Sequence, residues 1–392
     1  MIKKIAIVLY TNGLQYDDRV RKEIQSMQLA DDKLKFFIYC LTPEKNEYEG
    51  VTAYGVPYKN LGLFFRRILP SKHFLFLKAF ELYFYLYRIL KKEYDLLWFA
   101  DPETFLFPLL LKNKMIIWDL HELPMLLCKS QFSKMLFHRI ERNCCCILHA
   151  NQERIDYLVN NKAIKQVEKH FPIRNLPDKE IDLPINIEDE SKLIEFEEWV
   201  DTKTCVYLQG IGSNARKGEE ILSAICGIND LYAVVVGNFN PDIKNALQEK
   251  YGALIDERFF WAGMISQHVT YKYIRKCKFG IVFYSALSPN NYLCESNRMY
   301  QILCCGKPVI VGCNPTMKNY IIGNSYGIAL DDDGSDIERI QKGIFELLQE
   351  YDFYVNNILG SKDMLYWDIY NSFFEDMLGN INERHSLECI KH

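Results

Sequence analysis

Asn290-Asn291-Tyr292-Leu293-Cys294-Glu295-Ser296-Asn297-Arg298-Met299-Tyr300-Gln301-Ile302-Leu303-Cys304-Cys305-Gly306-Lys307-Pro308 reads as a polar loop, a helix start, a short helix and a stop. Ser296 is placed as N-cap, Asn297 and Gln301 lie four apart on one helical face, and Gly306 with Pro308 ends the helix before a strand at Val309 to Gly312. A helix start just beyond the carboxyl end of a strand is a ready place for phosphates and ribose hydroxyls. The stretch therefore predicts a parallel α/β sheet and, at its edge, an anion site.

Working outward, short apolar runs recur with amphipathic stretches between them. The first set is Ile5 to Tyr10, Phe36 to Leu41, Leu96 to Ala100, Met115 to Trp118 and Cys144 to Ala150. The second is Cys205 to Leu208, Tyr232 to Val236, Phe259 to Ala262, Gly280 to Tyr284 and Val309 to Gly312. This is strand-helix alternation, the mark of parallel sheets. Between the sets, Pro172 to about Thr202 is rich in prolines and acids and lacks a strand pattern after Phe171. The expectation is two doubly wound, Rossmann-like domains facing across a cleft, with ligands outside the carboxyl ends of the strands. The first domain would span 1–178, a linker 179–203, the second domain 204–350. The tail 351–392, patterned as helix through Tyr354, Ile358, Leu365, Ile369, Phe373 and Met377, would bury its aromatic face.

At 392 residues, 49% hydrophobic, 25% charged and with a net charge of −4, the chain suits a globular protein of two ordinary domains and gives no reason to expect nucleic acid as a partner. The thirteen cysteines include Cys144-Cys145-Cys146 and Cys304-Cys305 but no C-x-x-C pair, so they read as buried thiols in a reducing cytoplasm. The Ile5 to Tyr10 run is too short for a signal-peptide core, and no apolar run reaches the ~20 residues a membrane span needs.

Several strand ends carry chemistry. After Val206 to Gly210 the chain runs Ile211-Gly212-Ser213-Asn214-Ala215-Arg216-Lys217-Gly218 into a helix opening Glu219-Glu220. Two cations at a helix N-terminus oppose the dipole by a few tenths of a kcal/mol or more unless an anion compensates. The plain alternative is a solvated loop in which Glu219 and Glu220 neutralise them. In the first half, Asp101 follows Leu96 to Ala100, and Asp119, His121 and Glu122 follow Ile116-Ile117-Trp118. A histidine between acids at a strand end facing a cleft points to function, with a carboxylate to hold its tautomer. Asp17 and Asp18 open a helix and read as dipole partners. Asp331-Asp332-Asp333-Gly334 reads as a solvated loop.

These segments resemble the GT-B glycosyltransferases of the family 4 type. The resemblance lies in Asn297-Arg298 with nearby Glu295 before a small-residue helix ending Gly306-Lys307-Pro308-Val309-Ile310, and in Lys217-Gly218. It extends to Gly237 after a Val-rich strand, Trp261-Ala262-Gly263, the Asp17-Asp18-Arg19-Val20 entry, Asp101, and the His121-Glu122 pair. It implies transfer of a sugar from a nucleotide-sugar, UDP- or GDP-linked, to a hydroxyl acceptor with retention, and no catalytic metal or other cofactor. Lys217 would contact the donor diphosphate and His121 would orient the donor sugar, with Asp101 and Glu122 beside it. Gly13, Gly210, Arg216, Gly237, Trp261, Gly263, Asn291, Tyr292, Glu295, Asn297, Arg298 and Gln301 would surround the donor. Ser285 to Tyr292 would offer backbone amides to the transferred sugar. The tail would cross back onto the first domain, a Trp commonly standing where Trp367 does. The chain departs from the family where the second acid of its paired-glutamate motif is expected: Gln301 stands there, and counting back for the first lands on Leu293.

From Lys59 to Lys92 eight basic residues face one acid, Glu81, with aromatics between, including Phe64, Phe65, Phe74, Phe76, Phe80, Tyr83 and Phe84. This suits docking on an anionic membrane, each cation contributing roughly 1 kcal/mol, or else an ordinary helix at Phe76 to Leu90 with its aromatics in the core. By resemblance, the acceptor would be a glycan or lipid-linked molecule in polysaccharide or lipopolysaccharide assembly, met at the inner face of the membrane. Rival readings are a sugar-nucleotide epimerase of the same fold and a nucleotide-sugar-binding protein without catalysis. A dinucleotide dehydrogenase is disfavoured, since strand one meets only Gly13 and no G-x-G-x-x-G.

Overall fold

The computed structural model describes every residue except 12, 15–16, 70–74, 113, 180–184 and 391–392; the side chains of 75–76 and 387–390 are also left out. Lys72, Phe74, the Phe76 side chain, Glu180 and Asp182 thus lie outside the described parts. The chain divides into two units, residues 1–175 with 367–392, and 176–366.

The first unit is built on β1 (Lys4–Tyr10), β2 (Lys35–Leu41), β3 (Tyr48–Val51), β4 (Pro57–Asn60), β5 (Leu96–Ala100), β6 (Met115–Leu120), β7 (Cys146–His149) and β8 (His170–Pro172). Their order is β3-β4-β2-β1-β5-β6-β7-β8, parallel except for the β3–β4 pair. Strands buried on both faces read as continuous apolar runs, and β5 (LLWFA) is buried along its whole length. The chain moves outward from β1 to β2 and then restarts at β5 on the other side. The topological switch therefore lies between the carboxyl ends of β1 and β5. The returning segment packs here too. Trp367 is buried, donates its indole N–H to Ser26 Oγ at 2.8 Å, and stacks on Phe374.

The second unit holds β9 (Thr204–Gln209), β10 (Leu231–Val236), β11 (Phe259–Gly263), β12 (Phe279–Val282), β13 (Val309–Val311) and β14 (Gly327–Ala329) in the all-parallel order β11-β10-β9-β12-β13-β14. Its switch point lies between β9 and β12. Gly280 on β12 has no room for a side chain, because an added Cβ would lie 2.4 Å from Ile302 of the helix Asn297–Cys304. That close approach seats the helix on the sheet.

Two expected boundaries move. The stretch 179–203 is not simply a linker: within it the helix Ile187–Val200 belongs to the second unit, where Phe196 stacks on Tyr273 at 4.7 Å. Three of its acids, Glu188, Asp189 and Glu190, stand in the first turn of that helix, with Asn186 Oδ1 accepting the Asp189 amide at 2.8 Å. The tail, in turn, joins the first unit only from Trp367, since Tyr351 and Tyr354 pack on the second core and Ile358 is fully buried. Within the basic aromatic segment the helix expected at Phe76 to Leu90 forms, with part of its aromatic and apolar side chains in the core. The helix Leu75–Glu93 buries Ala79, Leu82, Tyr83, Leu86 and Leu90 yet exposes Leu77, Phe80 and Phe84. Glu81 accepts the amides of Phe64 (2.6 Å) and Phe65 (2.9 Å), capping the neighbouring helix Phe64–Ile68. Among the described residues no helix is long and apolar enough to cross a membrane.

Candidate functional site

Each unit gathers polar side chains at its switch point. In the second unit, Gly210, Gly237 and Gly263 stand at the carboxyl ends of three adjacent strands, all at positive φ. They are tied in a row: the Gly210 amide donates to the Val236 carbonyl (2.8 Å) and the Gly237 amide to the Gly263 carbonyl (2.7 Å). Side chains there would strain the backbone and fill the shelf the glycines leave.

Beside that shelf two guanidinium groups share one ring. Arg216 lies 4.7 Å and Arg298 5.3 Å from the centre of Tyr284, the residue that leaves β12. A Cβ on Gly210 would be 3.6 Å from Arg216 and 3.7 Å from Arg298. Arg298 is buried and donates to the Gln209 carbonyl and to Ser296 Oγ (3.2 Å), while its Nη2 has no partner among the described residues. Burial pushes the Arg298 guanidinium below its usual pKa, and the charge of Arg216 adds to that. Two cations are kept together against their repulsion, one with an unused donor, and an anion placed between them would relieve that repulsion. Ser296 occupies the N-cap position but spends its hydroxyl on Arg298 instead of on the helix amides.

Lys217 takes the left-handed conformation (φ 56°) at the start of the helix Gly218–Cys226. Gly218 is required there, since a Cβ would sit 2.2 Å from the Ile211 carbonyl oxygen. The Lys217 ammonium bonds Ser335 at 2.7 Å and pairs with Asp333 at 3.4 Å, so neither Glu219 nor Glu220 neutralises it. The 331–334 loop is accordingly more than a solvated turn. Asp333, despite partial burial, is held below the usual carboxylate range by Ser335 and Lys217. The amides expected to reach a sugar are largely engaged inside the protein: Ser285 donates to Ala215 (2.8 Å), Ala286 to Asp333 (3.4 Å) and Asn291 to Ser288 (3.1 Å).

The remaining donor-side residues scatter. Glu295 accepts from Tyr300 at 2.5 Å, Asn297 is exposed, Gln301 is buried, and Tyr292 is exposed. The Trp261 ring packs on Phe239 under the Lys244 ammonium. Tyr284 was not singled out in the sequence, where it reads as the last residue of a strand.

In the first unit Asp101, Asp119 and His121 come together. Asp119 is fully buried; it accepts two bonds from Arg19 (2.8 and 3.2 Å) and lies 2.7 Å from His121 Nε2. His121 Nδ1 is 3.5 Å from Asp101. Burial alone would lower the imidazole, but Asp119 and Asp101 outweigh it and push His121 up to about 10. Burial pushes Asp101 up to about 7 against the pull of His121. Asp119 goes the other way: although burial opposes ionisation, Arg19 and His121 hold it well below the carboxylate range. Asp101 adopts φ 70°, ψ 154°, a region left almost entirely to glycine, and is fixed by Asp119, Thr104 and Trp118 through its backbone. Such strain, about 1–3 kcal/mol, persists where surroundings over-determine the geometry.

Glu122 does not join this cluster. It meets Arg154 at 3.4 Å and stays half exposed, while Arg154 also holds the His121 carbonyl. Gly13 follows β1, its amide donating to Thr11 Oγ1 at 3.2 Å. Asp17 caps Val20 at 3.4 Å, as dipole partners do. Arg19 and Glu23, 3.0 Å apart, complete the buried network and were assigned no role from the sequence. Arg19 stood in the Asp17-Asp18-Arg19-Val20 entry, and the spacing of Arg19 and Glu23 puts both on one helical face.

No protein-family model matches this sequence, and no curated protein matches it. Solved structures do. Sucrose-phosphate synthase from Thermosynechococcus elongatus superposes at TM-score 0.72 with 15% identity over 97% of this chain and 98% of that one. Anabaena HepE, solved with UDP-glucose, gives 0.66 and 12% over 96% and 99%. The E. coli trehalose-6-phosphate protein bound with UDP-2-fluoro glucose gives 0.67 and 11% over 96% and 99%. At such identities the likeness speaks for the fold, and the fold of this chain is GT-B, with a parallel sheet and a switch point in each unit.

Proposed function

We propose that the protein is a glycosyltransferase of the family 4 type, moving a sugar from a nucleoside-diphosphate sugar to a hydroxyl acceptor with retention of configuration. One observation carries the reading: Arg216 and Arg298 meet on Tyr284 at the switch point of the second sheet, with an unpartnered Arg298 N–H and the glycine shelf beside them. A diphosphate is the anion such a pair would hold, and a leaving diphosphate is where preorganised positive charge lowers a barrier most. Fold neighbours solved with UDP and UDP-glucose support UDP as the first base to try. Lys217, now resting on Asp333 and Ser335, would turn to the phosphates when they arrive. In the first unit, charged His121, fixed by Asp119, would donate a hydrogen bond to the sugar, and Asp101 would accept from it. Gln301 replaces an acid as ribose partner, a neutral acceptor making weaker bonds.

The acceptor is read as a glycan or lipid-linked alcohol in cell-surface polysaccharide assembly. Peripheral contact with an anionic membrane through 59–92 is part of the reading, supported by exposed Phe64, Phe80 and Phe84 among the cations. No co-flotation with anionic liposomes at low salt would remove that contact. For the transfer itself, Lys217→Ala is the test: circular dichroism unchanged, turnover from the best-binding UDP- or GDP-sugar down about a hundredfold. Near-normal transfer by that variant defeats the assignment.

A further inference from the structure

Between the helix Leu75–Glu93 and the outer strands β2, β3 and β4 of the first unit lies a cavity of about 410 Å³, within the ~300–1,000 Å³ range of small-molecule sites. No residue of its lining stands at the carboxyl end of β1 or β5. Tyr94, in its wall, precedes the amino end of β5, and the five residues of that strand, about 17 Å, separate it from Asp101. Four aromatic rings line the cavity: Phe37 and Tyr39 from β2, Tyr85 from the helix and Tyr94 just beyond it. Phe37 and Tyr39 lie 4.8 Å apart, Tyr39 meets Tyr94 edge-on at 6.2 Å, and the Tyr39 and Tyr94 hydroxyls share a bond of 3.1 Å. The two buried phenols thus satisfy each other, and the rings are fixed in advance of any ligand. Tyr85 donates its hydroxyl to Glu47 at 3.1 Å and remains 40% exposed, so its ring is oriented and still open to contact.

Among the rings stand one ammonium and two carboxylates, Lys59, Glu49 and Glu93. Lys59 bonds Glu47 at 2.8 Å and Glu49 at 3.4 Å, and the Glu47 bond above all holds it above the usual lysine value. Its charge is lasting and already met. The exposed Glu93 carboxylate makes no hydrogen bond or ion pair among the described residues. This mixture disfavours charged ligands of either sign: an anion would face Glu49 and Glu93, and a cation would face Lys59. A neutral molecule rich in hydroxyls meets neither repulsion. It can donate to Glu49 and Glu93, each with lone pairs to spare, and accept from Lys59, whose ammonium has three N–H donors and two carboxylate partners. Hydrogen bonds to ionised groups are the stronger kind, and none of these requires an ion pair to break. A pyranose has this pattern, with C–H bonds on its faces to lie on aromatic rings and hydroxyls around its edge.

We propose that this cavity binds a neutral saccharide away from the switch point, one pyranose lying against Tyr85 and Phe37 with its hydroxyls on Glu93, Glu49 and Lys59. The proposal rests on the transferase reading only in giving the saccharide a use: a glycan held there stays near the enzyme at a raised effective concentration. The experiment is saturation-transfer difference NMR on the full chain with the methyl pyranosides of glucose, galactose, mannose and N-acetylglucosamine, each with and without UDP. Choline and benzoate serve as charged controls. At least one pyranoside is expected to bind with a Kd of about 1 mM, with UDP present or absent, and more tightly than either control. Tyr85→Ala and Glu93→Gln, both at exposed positions, each weaken it by about fivefold or more, while the melting temperature and UDP binding stay as in the wild type. The proposal is overturned if none of the four binds, if UDP displaces the bound pyranoside, if either variant binds it as the wild type does, or if choline or benzoate binds more tightly. Pyranoside binding by a protein that does not bind UDP sinks the donor reading and leaves this site standing; UDP binding without pyranoside binding does the reverse.

Discussion

Replacing Asp119 by Asn tests the network that fixes His121. The carboxylate is fully buried, takes two bonds from Arg19 at 2.8 and 3.2 Å, and sits 2.7 Å from His121. Removing one member of a buried charge cluster leaves the others uncompensated, a loss of about 3–5 kcal/mol. Part of that loss has a pH signature. His121 rises from an ordinary 6.5 to about 10, which at about 1.4 kcal/mol per tenfold in proton affinity comes to roughly 5 kcal/mol. Screening of a ring that is 22% exposed brings the expectation to about 3 kcal/mol. Because the folded pKa is the higher one, this stability is complete below pH 6.5 and is lost as pH rises toward 10. Wild type should therefore exceed Asp119→Asn by about 3–5 kcal/mol at pH 6 in urea unfolding, and the gap should shrink by most of that roughly 3 kcal/mol by pH 10. A gap of the same size at both pH values would show that Asp119 does not hold the imidazolium and would refute the argument.

Other outcomes follow from the second unit. Arg298→Gln should weaken UDP binding by about 10- to 100-fold in calorimetry, the worth of one charge-assisted contact, with the melting temperature little changed. Asp333→Asn removes an anion from beside Lys217 and should tighten UDP about fivefold at low salt, the gain fading as salt screens it; weaker binding would mean Asp333 positions Lys217 rather than competing for it. Gly218→Ala, forced within 2.2 Å of a carbonyl oxygen, should cost about 3 kcal/mol in urea unfolding. Gly263→Ala has open space around it and should cost only about 1 kcal/mol for its φ of +66°.

What the sequence determined by itself is the pair of parallel sheets. The ten strands read from apolar runs all occur, because a strand buried on both faces must be apolar throughout and a helix must follow to cover it. The glycines at 210, 237 and 263 were legible for a related reason: strand ends that turn at positive φ leave few other choices. Four strands escaped, among them β3 and β14, since short edge segments carry little apolar pattern. The tertiary structure alone decided which charges meet. Arg19 reaches Asp119 across 100 residues and Lys217 reaches Ser335 across 118, pairings that no local spacing encodes. It also decided that Tyr284 lies under two guanidinium groups. Periodicity is a local property, enforced by burial of each element on its own sheet. The partner of a charge is set by how loops at the switch points converge, and that convergence exists only once the sheet has formed.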